Sequence, residues 1–242
     1  TLRSAADTFR TALGPKCAEL PSVLGKIAIA LQRKGDMDGA LRTSEEALAA
    51  SRAAFGDDSP EVAKILLNMA GLYYPMKRTA DAERVTKEGL AMARRTCPPH
   101  DPLIAYGAHQ MVFLLQDRGS WAEAMPLMLE AYEIDKAQRT EGALENAADL
   151  TEIGKAYLRL ERYEDARKSL EEAVALREKG LPSGDWHTSN SRSLLGAALA
   201  GLGRRVEAKP LLKASPWPLA ASSEAPPEVK SEAQARLSAL QK

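Results

Sequence analysis

Between Pro60 and Met76 the apolar residues Val62, Ile65, Leu66, Met69 and Tyr73 recur at steps of three and four, with polar residues between them. That spacing predicts an amphipathic helix with one buried stripe. Ser59 and Pro60 mark its start, the hydroxyl as a cap for free amides and the proline as a first-turn residue. A second helix is predicted over Thr79–Arg95. Asp101-Pro102 repeats the start signal, and Ser120 with Glu123 has capping-box spacing.

The pattern recurs with a fixed period. Ala40, Ala82, Ala124, Ala166 and Ala208 lie 42 residues apart. Gly35, Gly119 and Gly203 precede three of them by five residues, where a left-handed backbone ends a helix. Ala28, Ala70, Gly154 and Gly196 share one small position in the first helix, with Val112 the departure. Ile27, Met69, Met111, Ile153 and Leu195 fill the large position just before it. Leu31, Tyr73, Leu115, Tyr157 and Leu199 come three residues after the small one. Ala47, Gly89, Ala131, Ala173 and Ser215 sit seven after the repeating Ala. Small residues on both helices of a unit imply close packing, and a repeat in register implies a stacked array.

These residues resemble the tetratricopeptide repeat. The 42-residue period and the Gly56–Ala63 connection, Gly-Asp-Asp-Ser-Pro-Glu-Val-Ala, are similar to the kinesin light chain type, which is also common in bacteria. Leu181–Trp186, Ser193–Ala197 and Glu207–Leu212 are similar to repeat arrays of bacterial serine/threonine kinases. The resemblance implies an all-α fold, a right-handed α-solenoid of stacked antiparallel helix pairs with a C-terminal capping helix.

The expected organisation is a repeat array over 1–215, made of a half repeat (1–18) and five 42-residue repeats. A linker and capping helix follow over 216–242. Leu13-Gly14 falls in register with Phe55-Gly56, so the half repeat and the Thr1 start imply a piece of a longer protein. Pro216-Trp217-Pro218 and Ala225-Pro226-Pro227 are expected to interrupt helix, with Glu228–Gln241 as the cap through Val229, Ala233, Leu237 and Leu240. Pro126 and Pro210 share a repeat position, implying a tolerated bend in the second helix. Tyr74-Pro75 is expected to end the helix from Pro60 early, because a residue before proline avoids the α region.

Composition narrows the function. Thirty-three basic and 33 acidic residues cancel, which argues against a nucleic-acid or anionic-membrane binder. No apolar run approaches the roughly 20 residues of a membrane span. Cys17 and Cys97 lie far apart near inter-repeat turns, so a cytoplasmic setting with free thiols is expected. His100, His109 and His187 lack metal-ligand spacing, and no Cys-x-x-Cys or Gly-rich phosphate loop is present. The Glu45-Glu46 and Glu171-Glu172 pairs read as solvated helix faces. No cofactor and no catalytic constellation are expected.

The resemblance places ligand contacts on the first helix of each unit, lining a concave groove. It implies Ser22, Lys26 and Ile29, then Lys64, Asn68, Gly71 and Tyr74, then Tyr106, His109, Gln110, Phe113 and Gln116. Glu152, Lys155 and Arg159 follow in the fourth unit, and Asn190 and Leu194 in the fifth. Asn68 and Gln110 are amides 42 residues apart, suited to pairing with a ligand backbone. Lys26 and Lys64 suit a carboxylate, while Tyr106 and Phe113 are either core or apolar ligand contacts. Gly25, Leu67, His109, Thr151 and Ser193 share one position and do not supply the carboxylate clamp that grips chaperone tails. The expected function is a non-catalytic interaction scaffold that binds a peptide or partner-protein segment. The alternative is a regulatory or substrate-recruiting arm of a larger enzyme, a kinase or protease.

Overall fold

The computed structural model describes Thr8, Thr11 and residues 17–140 and 143–240, so most of the expected half repeat 1–18 lies outside the described residues. The chain divides into two compact units, Thr1–Ser120 and Trp121–Lys242. The first contains α1 (Leu20–Arg33), α2 (Met37–Phe55), α3 (Pro60–Tyr73), α4 (Thr79–Thr96) and α5 (Pro102–Asp117). The second contains α6 (Trp121–Gln138), α7 (Leu144–Arg159), α8 (Tyr163–Gly180), α9 (Trp186–Gly201), α10 (Arg205–Ala214), α11 (Pro216–Ala221) and α12 (Pro227–Leu240). In the first unit α1 pairs with α2 and α3 with α4, α3 packs on α2, and α5 lies against both α4 and α3. In the second, α7 pairs with α8 and α9 with α10, α6 packs on α7, and α12 rests on α9, α10 and α11. Short turns within each pair force the helices antiparallel.

The 42-residue register is written in backbone hydrogen bonds. Each first helix closes with the same bond. Asp36 N–H donates to Leu31 O (3.0 Å), Arg78 to Tyr73 (3.0 Å), Ser120 to Leu115 (2.8 Å), Arg162 to Tyr157 (2.9 Å) and Arg204 to Leu199 (2.9 Å). The turn requires a positive φ, supplied by Gly35, Gly119 and Gly203 and, at the same register, by Lys77 (58°) and Glu161 (56°). The starts agree with the sequence. Ser59 Oγ accepts from Val62 N–H (3.3 Å) and an Asp101 carboxylate oxygen from Leu103 N–H (2.8 Å), each ahead of a helix-initiating proline. Asp185 caps α9 in the same way, through His187 N–H at 2.9 Å.

The small positions lie where the packing argument puts them. Ala40, Ala82, Ala124, Ala166 and Ala208 are all at 0% exposure. A Cβ added to Gly154 would stand 2.5 Å from Leu170 Cγ, and one on Gly196 would stand 2.7 Å from Leu212 Cγ. These glycines therefore set the helix separation. In the closing turns, Arg78 and Arg162 lie over the Tyr73 and Tyr157 rings at 4.6 and 4.7 Å.

Prolines bear on three local expectations. Tyr74 precedes Pro75 yet has helical dihedrals (φ −61°, ψ −53°). The helix nevertheless ends early as expected, at Tyr73, two residues before the position at which α1, α5, α7 and α9 end, while its closing turn keeps the common register. Pro126 and Pro210 are both accommodated inside their helices, α6 and α10. Pro216-Trp217-Pro218, expected to interrupt helix, instead opens α11, because prolines in a first helical turn give up no intrahelical N–H bond. Among the described residues, no helix is long and apolar enough to cross a membrane.

Candidate functional site

On α3 and α5 the residues pointing into the pair interface are apolar and buried, among them Leu66, Leu67, Met69 and Ala70. The same helical period brings Lys64, Asn68 and Gly71 out on an exposed face of α3, and Tyr106, His109 and Phe113 out on α5. Tyr106 and Phe113 are 42% and 50% exposed, so neither is core.

Two recesses lie along this face. One, of ≈ 570 Å³, is bordered by Glu61, Lys64, Asn68, Asp101 and Tyr106. The other, of ≈ 330 Å³, is walled by Tyr74, Pro75, Tyr106, His109 and Phe113. Tyr106 stands between them as a shared wall. Tyr74 and Phe113 meet edge to face, with ring centroids 4.6 Å apart at 72°. Gly71 forms part of the second recess, and a Cβ added there would meet nothing within 4 Å. The floor is thus open because the side chain is absent.

Hydrogen bonds tie the face together. Tyr106 O–H donates to Asn68 Oδ1 (3.1 Å) and Gln110 Nε2 donates to the Leu67 carbonyl (2.9 Å). Burial pushes the Tyr106 phenol above its usual range, and a hydrogen bond from Gln110 works against that shift. Burial also raises Tyr74, with the Asp117 carboxylate beside it adding to the effect. Asp117, beside Tyr74, is a neighbour of the site that sequence reasoning did not single out. Gln110 corrects the expectation of two equivalent amide readers, since its amide nitrogen is committed to the protein backbone. Lys26, Ser22 and Ile29 are exposed on α1.

Glu152, Lys155 and Arg159 belong to the second unit and form their own group there. Glu152 is exposed. Lys155 and Arg159 border a recess of ≈ 360 Å³ whose far wall is α12, through Glu232 and Arg236. Arg159 pairs with Glu232 at 3.6 Å, and Arg236 bonds Glu232 at 2.6 Å and Ser193 Oγ at 3.1 Å. Leu194, implied as a groove residue, is 2% exposed and also borders the recess walled by α12, a correction to that reading. Asn190 is half-buried. Burial lowers the Arg236 guanidinium pKa, against the pull of Glu232. Among the described residues no cluster of His, Cys, Asp and Glu suits a metal ion.

Comparison with known proteins follows the fold. The nearly identical TPR-like repeats of a kinesin light chain-type protein from Podosopora anserina superpose with a TM-score of 0.67 at 20% identity, covering 87% of this chain and 98% of that one. BtubC (BKLC) from P. vanneervenii gives 0.70 at 19% identity, covering 93% and 89%. The apo form of RapI gives 0.69 at 17% identity, covering 99% and 65%. No curated protein matches the chain by sequence. The tetratricopeptide repeat profile matches residues 19–95, spanning α1 to α4, and residues 103–179, within α5 to α8. Those two stretches make up more than half of the sequence and carry the helix pairs just described, so the chain belongs to the tetratricopeptide repeat family.

Proposed function

We propose that the protein is a non-catalytic interaction scaffold, and that the first-helix face of its first unit binds an extended peptide or partner-protein segment in a concave groove. The observation that carries this reading is Tyr106. It is an exposed aromatic wall shared by a polar recess containing Lys64 and Asn68 and an apolar one containing Tyr74 and Phe113. Exposed aromatics beside fixed polar groups are the composition of a binding hot spot. His109 borders the apolar recess, and Lys26 lies on the preceding first helix. In the second unit Glu152, Lys155 and Arg159 offer a further polar stretch. The balanced charge supports a protein ligand over nucleic acid or an anionic membrane. The free thiols of Cys17 and Cys97 support a cytoplasmic setting.

The test is titration of a partner captured from lysate of the cells that express the protein. Asn68→Ala and Tyr106→Ala are each expected to weaken binding by about 1–3 kcal/mol. Arg84→Ala and Lys168→Ala, at exposed positions of second helices, are expected to leave it unchanged. Loss of binding in the second pair, with the first pair intact, sinks the assignment.

A further inference from the structure

Two closing turns of the repeat hold an arginine over a tyrosine ring and fasten it with an aspartate. Arg78 lies 4.6 Å from the Tyr73 ring centroid, and its Nε donates to an Asp81 carboxylate oxygen at 2.8 Å. Arg162 lies 4.7 Å from the Tyr157 ring centroid, and its Nε donates to an Asp165 carboxylate oxygen at 2.9 Å. The ring supplies a negative face and the carboxylate a counter-charge. The outward face of α3 and α5 has both of these parts and no arginine. The Tyr74 and Phe113 rings meet at 72° with centroids 4.6 Å apart, an edge-to-face arrangement that leaves ring faces uncovered by the partner. Asp117 is exposed on α5 one turn after Phe113, on the same side of the helix. Burial and this carboxylate both raise the Tyr74 phenol pKa, in keeping with that placement. No lysine or arginine borders the recess that the two rings wall. Arg118, next to Asp117 in the chain, turns to Glu83 (3.1 Å) and to Ser120 Oγ (3.0 Å).

We infer that this aromatic corner is a site for an arginine side chain of the bound segment, with the Tyr74 and Phe113 rings as its platform and Asp117 as its counter-ion. The inference rests on the peptide-binding reading of this face and names the chemistry of its ligand. Ala70, Gly71 and Ala82 line the same recess, and so small a floor takes the methylene stem while the charged head lies over the rings. A guanidinium is flat, stacks on a ring and offers paired N–H donors to a carboxylate, whereas an ammonium acts as a point charge. Charge along the face points the same way. Across Tyr106, the neighbouring recess is bordered by Glu61 and Asp101 against Lys64 alone. A purely apolar side chain would fill the floor and gain nothing from Asp117.

A displayed library of random 12-residue peptides, panned on the protein, supplies the probe. Arginine is expected to be enriched among the survivors. The strongest binder is then synthesised, and each of its arginines is replaced in turn by citrulline, which keeps the shape and removes the charge. At one position this is expected to weaken binding about tenfold or more. Phe113→Leu keeps an apolar side chain but removes the ring, and is expected to cost the arginine peptide about threefold or more. Asp117→Asn removes only the charge and is expected to cost a similar factor. Neither variant is expected to weaken the citrulline peptide further, because both act through the cation. Survivors in which arginine is no commoner than in the unselected library overturn the assignment. Equal losses for the arginine and citrulline peptides in Phe113→Leu and Asp117→Asn overturn it too, since the corner would then hold an uncharged group. Peptides weakened by Tyr106→Ala but indifferent to Phe113→Leu and Asp117→Asn leave the face standing and sink this inference alone. A library that yields no peptide, or only peptides indifferent to Tyr106→Ala as well, sinks the peptide-binding reading and the inference with it.

Discussion

Gly154 on α7 faces Leu170 on α8, and the pair offers a quantitative test of how the helices are held apart. A methyl added at Gly154 would stand 2.5 Å from Leu170 Cγ and 2.8 and 3.1 Å from its two methyl carbons. Leu170 is at 0% exposure, enclosed by its neighbours. The first unit uses other combinations at the same register, Ala28 with Ser44 and Ala70 with Thr86. There a larger residue on the first helix goes with a smaller one on the second. In Gly154→Ala, overpacking of about 1–3 kcal/mol is set against a helix-propensity gain of about 1 kcal/mol, for a net loss of about 0–2 kcal/mol. Leu170→Thr alone deletes buried carbon and is expected to cost about 2–4 kcal/mol. The double variant recreates the Ala70/Thr86 combination. The new methyl fills part of the vacated space, and the introduced threonine hydroxyl can donate to the Ala166 carbonyl, as Thr86 Oγ1 does to Ala82 O at 2.7 Å. Its loss is therefore expected to fall short of the sum of the single losses by about 1–3 kcal/mol. Urea unfolding followed by circular dichroism at the helical band measures all three. The reasoning fails if Gly154→Ala is stabilised by its full propensity gain, or if the two substitutions simply add.

Lys77→Gly and Glu161→Gly relieve a side chain held at positive φ (58° and 56°), and each is expected to raise stability by about 0.5–1 kcal/mol in thermal melts. Unchanged or lowered melting temperatures would show that the two side chains contribute enough elsewhere to offset the strain. Ala166→Trp forces an indole into a site at 0% exposure, and a loss of about 1–3 kcal/mol or more is expected in the same melts. Truncation after Ser215 removes α11 and α12 and uncovers Leu194 and the Trp186 ring, which packs against the Leu219–Ala225–Ala233 cluster. Association is expected in light scattering, since the removal opens an apolar patch, and a truncated chain as monodisperse and stable as the full one would count against a covering role.

The sequence by itself determined the repeat, its period, the helix pairs and the small positions between them. Each of these is a local property, or a contact with the next helix, and it recurs often enough to be read against its own copies. The caps Ser59 and Asp101 were legible for the same reason: they act on amides two or three residues away. The outward face of α3 and α5 followed from helical periodicity, and a resemblance named its residues. What those residues do there was decided by tertiary structure. Lys77 and Glu161 occupy the left-handed turn without a glycine to announce it, because the surrounding register imposes the conformation. Leu194 reads as exposed until α12 is placed beside it, and Arg236 reaches Ser193 across 43 residues. Gln110 and Asn68 look equivalent in the sequence. Only the 2.9 Å approach of Gln110 to the Leu67 carbonyl and the 3.1 Å approach of Tyr106 to Asn68 tell their surroundings apart. Hydrogen-bond commitments of this kind depend on distances between neighbouring helices, and those distances exist only once the helices have packed.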